Sequence, residues 1–126
     1  MLGSLDGARV LDLYAGSGAV GLEALSRGAE HVLLVEHGGR AAHVIRENIE
    51  AIGLPGAVLA ADRVERLLAR GPTDGHRYDV VFADPPYALA DAAVSQVLSL
   101  LAGQGWLALG ALVIVCLLYT SDAADE

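Results

Sequence analysis

Arg9 to Gly21 reads RVLDLYAGSGAVG. Arg9–Leu13 is a short, mostly apolar run that stops at a glycine-rich turn, the pattern of a buried strand. Ala19–Arg27 follows with Val20, Leu22 and Leu25 at near-helical spacing, and Gly28 stands where a helix C-cap belongs. Outward from this unit the same stroke repeats. His31–Glu36 (HVLLVE) predicts a second strand, and Arg40–Ile52 a helix with Ala41, Ile45, Ile49 and Ile52 on one face, closed by Gly53. Ala57–Ala61 predicts a third strand and Val64–Ala69 a short helix stopped by Gly71-Pro72. After the polar loop Thr73–Arg77 come a fourth strand at Tyr78–Ala83, a helix at Ala88–Leu101 ended by Gly103, and a fifth strand at Leu107–Val115. Strands alternating with helices across short loops build right-handed βαβ units, so the expected fold is a doubly wound α/β domain around a mostly parallel sheet.

Composition agrees with one such domain. The chain has 126 residues, of which 54% are hydrophobic, enough for a single core and too apolar for a disordered tail. Eight arginines, no lysine and sixteen acids give a formal charge of −8, which argues against gripping nucleic acid through bulk positive charge. An enzyme with a local basic surface remains compatible with that balance. The single cysteine, Cys116, excludes an internal disulfide framework and makes a cytoplasmic setting the default. No basic segment precedes an apolar run at the start, so no signal peptide is read. The run WLALGALVIVCLL, Trp106 to Leu118, is thirteen residues and falls short of the roughly 20 that cross a bilayer, so a buried element is expected there and no membrane association. His31, His37, His43 and His76 lack metal-ligand spacing; they read as surface or helix residues with no metal site.

Parallel sheets of this kind bind ligands at the carboxyl ends of their strands, where the strand order reverses. The informative residues stand there: Asp12, Gly16 and Gly18 with the first strand, Glu36 with the second, Asp62 after the third and Asp84-Pro85-Pro86-Tyr87 after the fourth. Gly16, Gly18 and Gly21 satisfy a GxGxxG pattern, which lets backbone approach a ligand and presents free N–H groups at a helix start. That pattern alone fits a nicotinamide dehydrogenase, with Glu36 on the ribose, as well as it fits another nucleoside cofactor. Asp12 separates the two. A carboxylate there is poorly placed for a pyrophosphate and well placed for a cationic amino or sulfonium group. Asp62 can accept from an adenine amino group, so the set describes a pocket for S-adenosylmethionine. Each acid also has a plainer use. Asp12 could cap the next helix, Glu36 could be a solvated strand end, and Asp62 could cap Val64–Ala69.

The two prolines cannot continue the fourth strand, and they hold Asp84 and Tyr87 in a rigid extended turn. An exocyclic amino group could donate to the Asp84 carboxylate and a backbone carbonyl, its lone pair facing a methyl donor while Tyr87 stacks on the base. A purely structural Pro-Pro loop is the alternative.

DLYAGSGAVGLEALSRGA, LLVEHG, RENIEAIGL and VFADPPY together resemble the RsmD family of bacterial 16S rRNA guanine-N2 methyltransferases, over roughly Leu5 to Val115. The resemblance implies a Rossmann-like class I fold, S-adenosylmethionine as cofactor, and a guanine of 16S rRNA in a small-subunit assembly particle as substrate. It also implies a monomer when full length. By position, Asp12, Ala15, Gly16 and Gly18 are implied to cradle the methionine part, Glu36 the ribose and Asp62 the adenine. Asp84, Pro85, Pro86 and Tyr87 are implied to hold the guanine as catalytic residues. The family usually has a polar or acidic residue shortly after Glu36, where this chain has His37-Gly38-Gly39. A DNA adenine-N6 methyltransferase shares the DPPY motif and is the alternative of the same chemistry; protein-glutamine methyltransferases typically have Asn at the Asp84 position.

The family carries an upstream segment with a helix and a hairpin, and further strands after the fifth. Against that pattern residues 1–115 are expected to be a partial methyltransferase domain, truncated after about the fifth strand. Cys116–Glu126 (CLLYTSDAADE) matches a translated transposase adapter, TGT CTC TTA TAC ACA TCT encoding its first six residues, and is expected to be non-native. Without Asp122, Asp125 and Glu126 the net charge is three units less negative. A non-catalytic, truncated cofactor-binding fragment is therefore a further alternative.

Overall fold

A computed structural model describes residues 4–86 and 91–116. Nine elements alternate along the chain: β1 Arg9–Leu13, α1 Ala19–Ser26, β2 His31–Val35, α2 Gly39–Ile52, β3 Ala57–Ala60, α3 Val64–Arg70, β4 Tyr78–Ala83, α4 Asp91–Gly103 and β5 Leu107–Val115. The strands form one parallel sheet in the order β3-β2-β1-β4-β5. The expected doubly wound α/β architecture is thus the observed one. Predicted element ends fall within a residue or two of the observed ones, except that Ala88–Ala90 lie outside the described residues.

Side-chain alternation along β1 divides the interior in two. Leu11 and Leu13 face α3 and α4, packing with Val35, Leu68, Val81 and Leu101. Val10 faces the other way, with Leu22 and Leu25 of α1, Val32 and Leu34 of β2, and Ile45 of α2. The α3 side is anchored by Trp106, which is buried and donates its Nε1–H to the Leu68 carbonyl at 2.9 Å. An indole fills space as a large apolar body only where its one N–H finds an acceptor, and the last turns of α3 supply it.

The sheet reverses between β1 and β4: the chain winds outward from β1 through β2 to β3, then returns to place β4 on the other side of β1. Leu13 is in register with both Val35 and Ala83, so β1, β2 and β4 end level with one another. Everything the strand ends carry is brought to one edge.

Two expectations need correction. The apolar run from Trp106 is not one uniformly buried element. Tyr78 lies opposite Leu107 but Val80 lies opposite Leu112, so β5 bulges between them at Gly110 (φ 78°), leaving Leu109 fully exposed. His31 is not a surface residue: it opens β2 half-buried, with its Nε2 3.0 Å from the Tyr78 hydroxyl. Within the described residues no helix is long and apolar enough to cross a membrane. The suspected adapter tail lies outside the described residues from Leu117 onward. Cys116 itself is described, and its N–H donates to the Ala83 carbonyl at 2.8 Å.

Candidate functional site

The level strand ends form a floor, and the glycine loop between β1 and α1 lies across it. Asp12, near the end of β1, is 2% exposed, and its Oδ2 accepts the Gly21 N–H at 3.0 Å. Gly18, the N-cap of α1, has no side chain to offer, so Asp12 satisfies a first-turn N–H of α1 from the neighbouring strand. The plain use suggested by the sequence is therefore realised, by a residue that still lies in the ligand-facing edge. Burial raises the Asp12 pKa from 3.8 to about 6; the Gly21 N–H opposes this, and the charges of Asp84 and Glu36 push it further up. The three acids feel one another, which places them in one region.

Glu36 is not a solvated strand end. Its Oε1 accepts the Gly16 N–H at 2.8 Å and its Oε2 the Gly38 N–H at 3.1 Å, bracing the glycine loop against the entry to α2. Ala15 donates to the Val35 carbonyl at 3.0 Å and accepts from Gly18 at 2.8 Å, and Asn48 of α2 donates to the Ser17 carbonyl at 2.9 Å. The loop is thus held from both β2 and α2. Its glycines serve different ends. At Gly16 (φ 61°) a Cβ would meet nothing within 4 Å, so the space beside the loop is open. At Gly21 a Cβ would sit 2.9 Å from both Leu34 and Val32, so glycine there lets α1 lie against β2.

Asp84, Pro85 and Pro86 leave β4 across from the end of β1, and the Asp84 side chain is exposed. A cavity of about 250 Å³ lies at this edge, lined by Tyr14, Val35, Glu36, His37, Val64, Asp84 and Pro86. Glu36 and Asp84 stand on one cavity, with the glycine loop tied to Glu36. Pro85 lines a smaller apolar cavity beside α4. Tyr87 lies outside the described residues.

Asp62 is set apart. It follows β3 at the edge of the sheet, does not line that cavity, and is clamped by Arg70 Nη1 at 3.0 Å and the Arg63 N–H at 2.8 Å. Burial works to raise its pKa, but the Arg63 N–H and the Arg70 guanidinium outweigh this and hold it below the usual carboxylate value. It is not the cap of α3 either, because the N-cap position belongs to Arg63. Sequence reasoning also passed over Tyr14, Asn48 and Gly38. For Asn48 no signal exists in the sequence, since a polar residue on a helix face looks solvated until the fold brings a loop to it. Among the described residues no group of three or more His, Cys, Asp or Glu side chains could hold a metal ion.

Comparison with known proteins bears on the chain as a whole. Residues 1–121 match the family model described as "Conserved hypothetical protein 95". The ribosomal RNA small subunit methyltransferase D of Escherichia coli is 34% identical over 108 residues, 86% of this chain and 52% of that protein. The Bacillus subtilis protein YlbH is 39% identical over 83 residues, 65% of this chain and 45% of that one. The chain therefore spans about half the length of the curated relatives it matches. Among solved structures, that of Escherichia coli yhhF superposes with a TM-score of 0.79 at 33% identity, covering 88% of this chain and 60% of that one.

Proposed function

This chain belongs to the RsmD family that the conserved hypothetical protein 95 model describes, and on that premise we propose that it is the catalytic portion of an S-adenosylmethionine-dependent methyltransferase acting on the exocyclic N2 of a guanine in 16S rRNA. The observation that carries the reading is that Asp84-Pro85-Pro86 leaves β4 in register with the end of β1, sharing one cavity with Glu36, at the point where the strand order reverses.

The residues present fit such a cofactor. Space beside Gly16 is open, a braced carboxylate at Glu36 stands at hydroxyl-binding position, and Asp12 supplies buried negative charge to a cationic group. A nicotinamide dinucleotide fits less well, because its pyrophosphate would meet Asp12, Glu36 and Asp84 together. When bound, S-adenosylmethionine supplies a methyl group on a sulfonium, electrophilic toward an amine nitrogen. The chain's own part is orientation. The Asp84 carboxylate and the carbonyls of Asp84 and Pro85 accept the two amino N–H groups of the base, which leaves the nitrogen lone pair facing the glycine loop. The rigid Pro-Pro turn keeps those acceptors from relaxing toward water. The proton released after methyl transfer leaves by way of the Asp84 carboxylate, which is exposed to solvent.

Calorimetric titration separates the cofactor classes: S-adenosylmethionine is expected to bind and NAD not to, and the reverse result overturns the reading. Methyl transfer to small-subunit particles by the full-length protein tests the site, with Asp84→Ala expected to lower turnover by about 10²-fold or more. Unchanged turnover in that variant would remove Asp84 from the chemistry.

A further inference from the structure

Tyr14 is the only non-glycine residue among those described with a positive φ, at 60°. Continuing the alternation of β1 would send its side chain toward α1 with Val10 and Asp12. The left-handed turn instead carries it to the opposite face, where it packs against the core built around Leu13, Val64 and Ala83. A tyrosine adopts that conformation only at a cost, and such costs gather at functional sites. A second cost lies on the same side chain: its hydroxyl is buried and has no hydrogen-bond partner among the described residues. Phenylalanine would fill the same space without leaving a polar group unsatisfied.

The ring is the shared wall of two cavities. On one side lies the small apolar space lined by Ala83, Pro85, Val97 and Leu98, which offers the hydroxyl nothing. On the other lies the strand-end cavity between Glu36 and Asp84. Both carboxylate oxygens of Glu36 are already engaged by loop N–H groups. The missing partner therefore has to come from whatever occupies the strand-end cavity.

Resting on the function proposed above, we infer that Tyr14 is a further cofactor-binding residue, whose hydroxyl donates to an acceptor nitrogen or oxygen on the nucleoside part of the cofactor. Burial, together with the nearby Glu65 charge, raises the phenol pKa above its ordinary value, so the group stays protonated and able to donate. The strain at φ 60° is what aims the ring at that cavity rather than at α1.

Tyr14→Phe in the full 126-residue chain tests this by equilibrium dialysis against S-adenosylmethionine and S-adenosylhomocysteine, which share the nucleoside and differ at the sulfonium methyl. Thermal melting without ligand is recorded alongside. The variant is expected to melt at the same or a higher temperature, since an unsatisfied hydroxyl is gone, and to bind both ligands about three- to tenfold more weakly. Equal affinity in variant and wild type overturns the role of Tyr14 and leaves the proposed function standing. Weakening toward S-adenosylmethionine alone overturns it too, because it would place the hydroxyl at the methyl end. A lower melting temperature would assign the hydroxyl a partner inside the protein. A folded wild type that binds neither ligand overturns both this inference and the reading it rests on.

Discussion

Asp12 holds a charge where little water reaches it, and the chain bears the consequence. Its pKa of about 6 against an ordinary 3.8 means that the folded chain binds this proton more tightly than the unfolded one. Its stabilising effect is therefore complete below pH 3.8 and lost as pH rises through about 6. Asp12→Asn keeps an acceptor for the Gly21 N–H and removes the charge. At pH 8 it is expected to raise stability by on the order of 2 kcal/mol in a urea titration, and to flatten the pH dependence between 4 and 7. Binding of a sulfonium ligand should move the other way. It requires the ionised carboxylate, so affinity is expected to fall by up to about tenfold for each pH unit below 6, and Asp12→Asn to abolish that slope. An affinity that is independent of pH between 5 and 7 in the wild type would show that Asp12 serves only as a remote cap for α1.

At the scale of elements, the glycine loop works because three neighbours hold it. β2 contributes Glu36 and the Val35 carbonyl, α2 contributes Asn48, and β1 contributes Asp12. Two of its glycines separate stability from binding. Gly21→Ala drives a methyl into Leu34 and Val32 and must push α1 off β2, so a loss of about 1–3 kcal/mol is expected by chemical denaturation. Gly16→Ala meets no neighbouring atom, so its folded-state cost is only that of a left-handed alanine, about 1 kcal/mol, yet its methyl occupies the open space beside the loop. It is expected to lose cofactor binding while remaining folded, as circular dichroism and dialysis together would show. If Gly16→Ala binds as well as wild type, the ligand does not lie against this part of the loop.

For the whole molecule, the sheet is covered unevenly. Beside α1, a groove of about 250 Å³ runs along Val10, Val20, Val80, Phe82, Leu112 and Ile114, with Val20 45% and Leu112 38% exposed. Apolar surface of that extent drives association, and the described sheet ends at β5 with no further strand beside it. Light scattering of the 126-residue chain is expected to rise steeply with concentration, and Leu112→Glu to reduce it; a chain monomeric at high concentration would contradict this. What the sequence determined by itself is the element order and the parallel, doubly wound sheet, because alternating apolar runs, glycine stops and short loops leave the chain no other way to bury both sheet faces. It also placed Asp12, Glu36 and Asp84 at strand ends, since a strand end is a local property. The partners of those groups were not local. That Asp12 caps α1, that Glu36 braces a loop twenty residues away, that Asp62 is spent on Arg70, that His31 is half-buried against Tyr78, and that β5 bulges at Gly110 all depend on which strands lie side by side. Only the tertiary structure decided them, because a hydrogen bond is fixed by distance in space, and the sheet order 3-2-1-4-5 brings together residues that the chain keeps far apart.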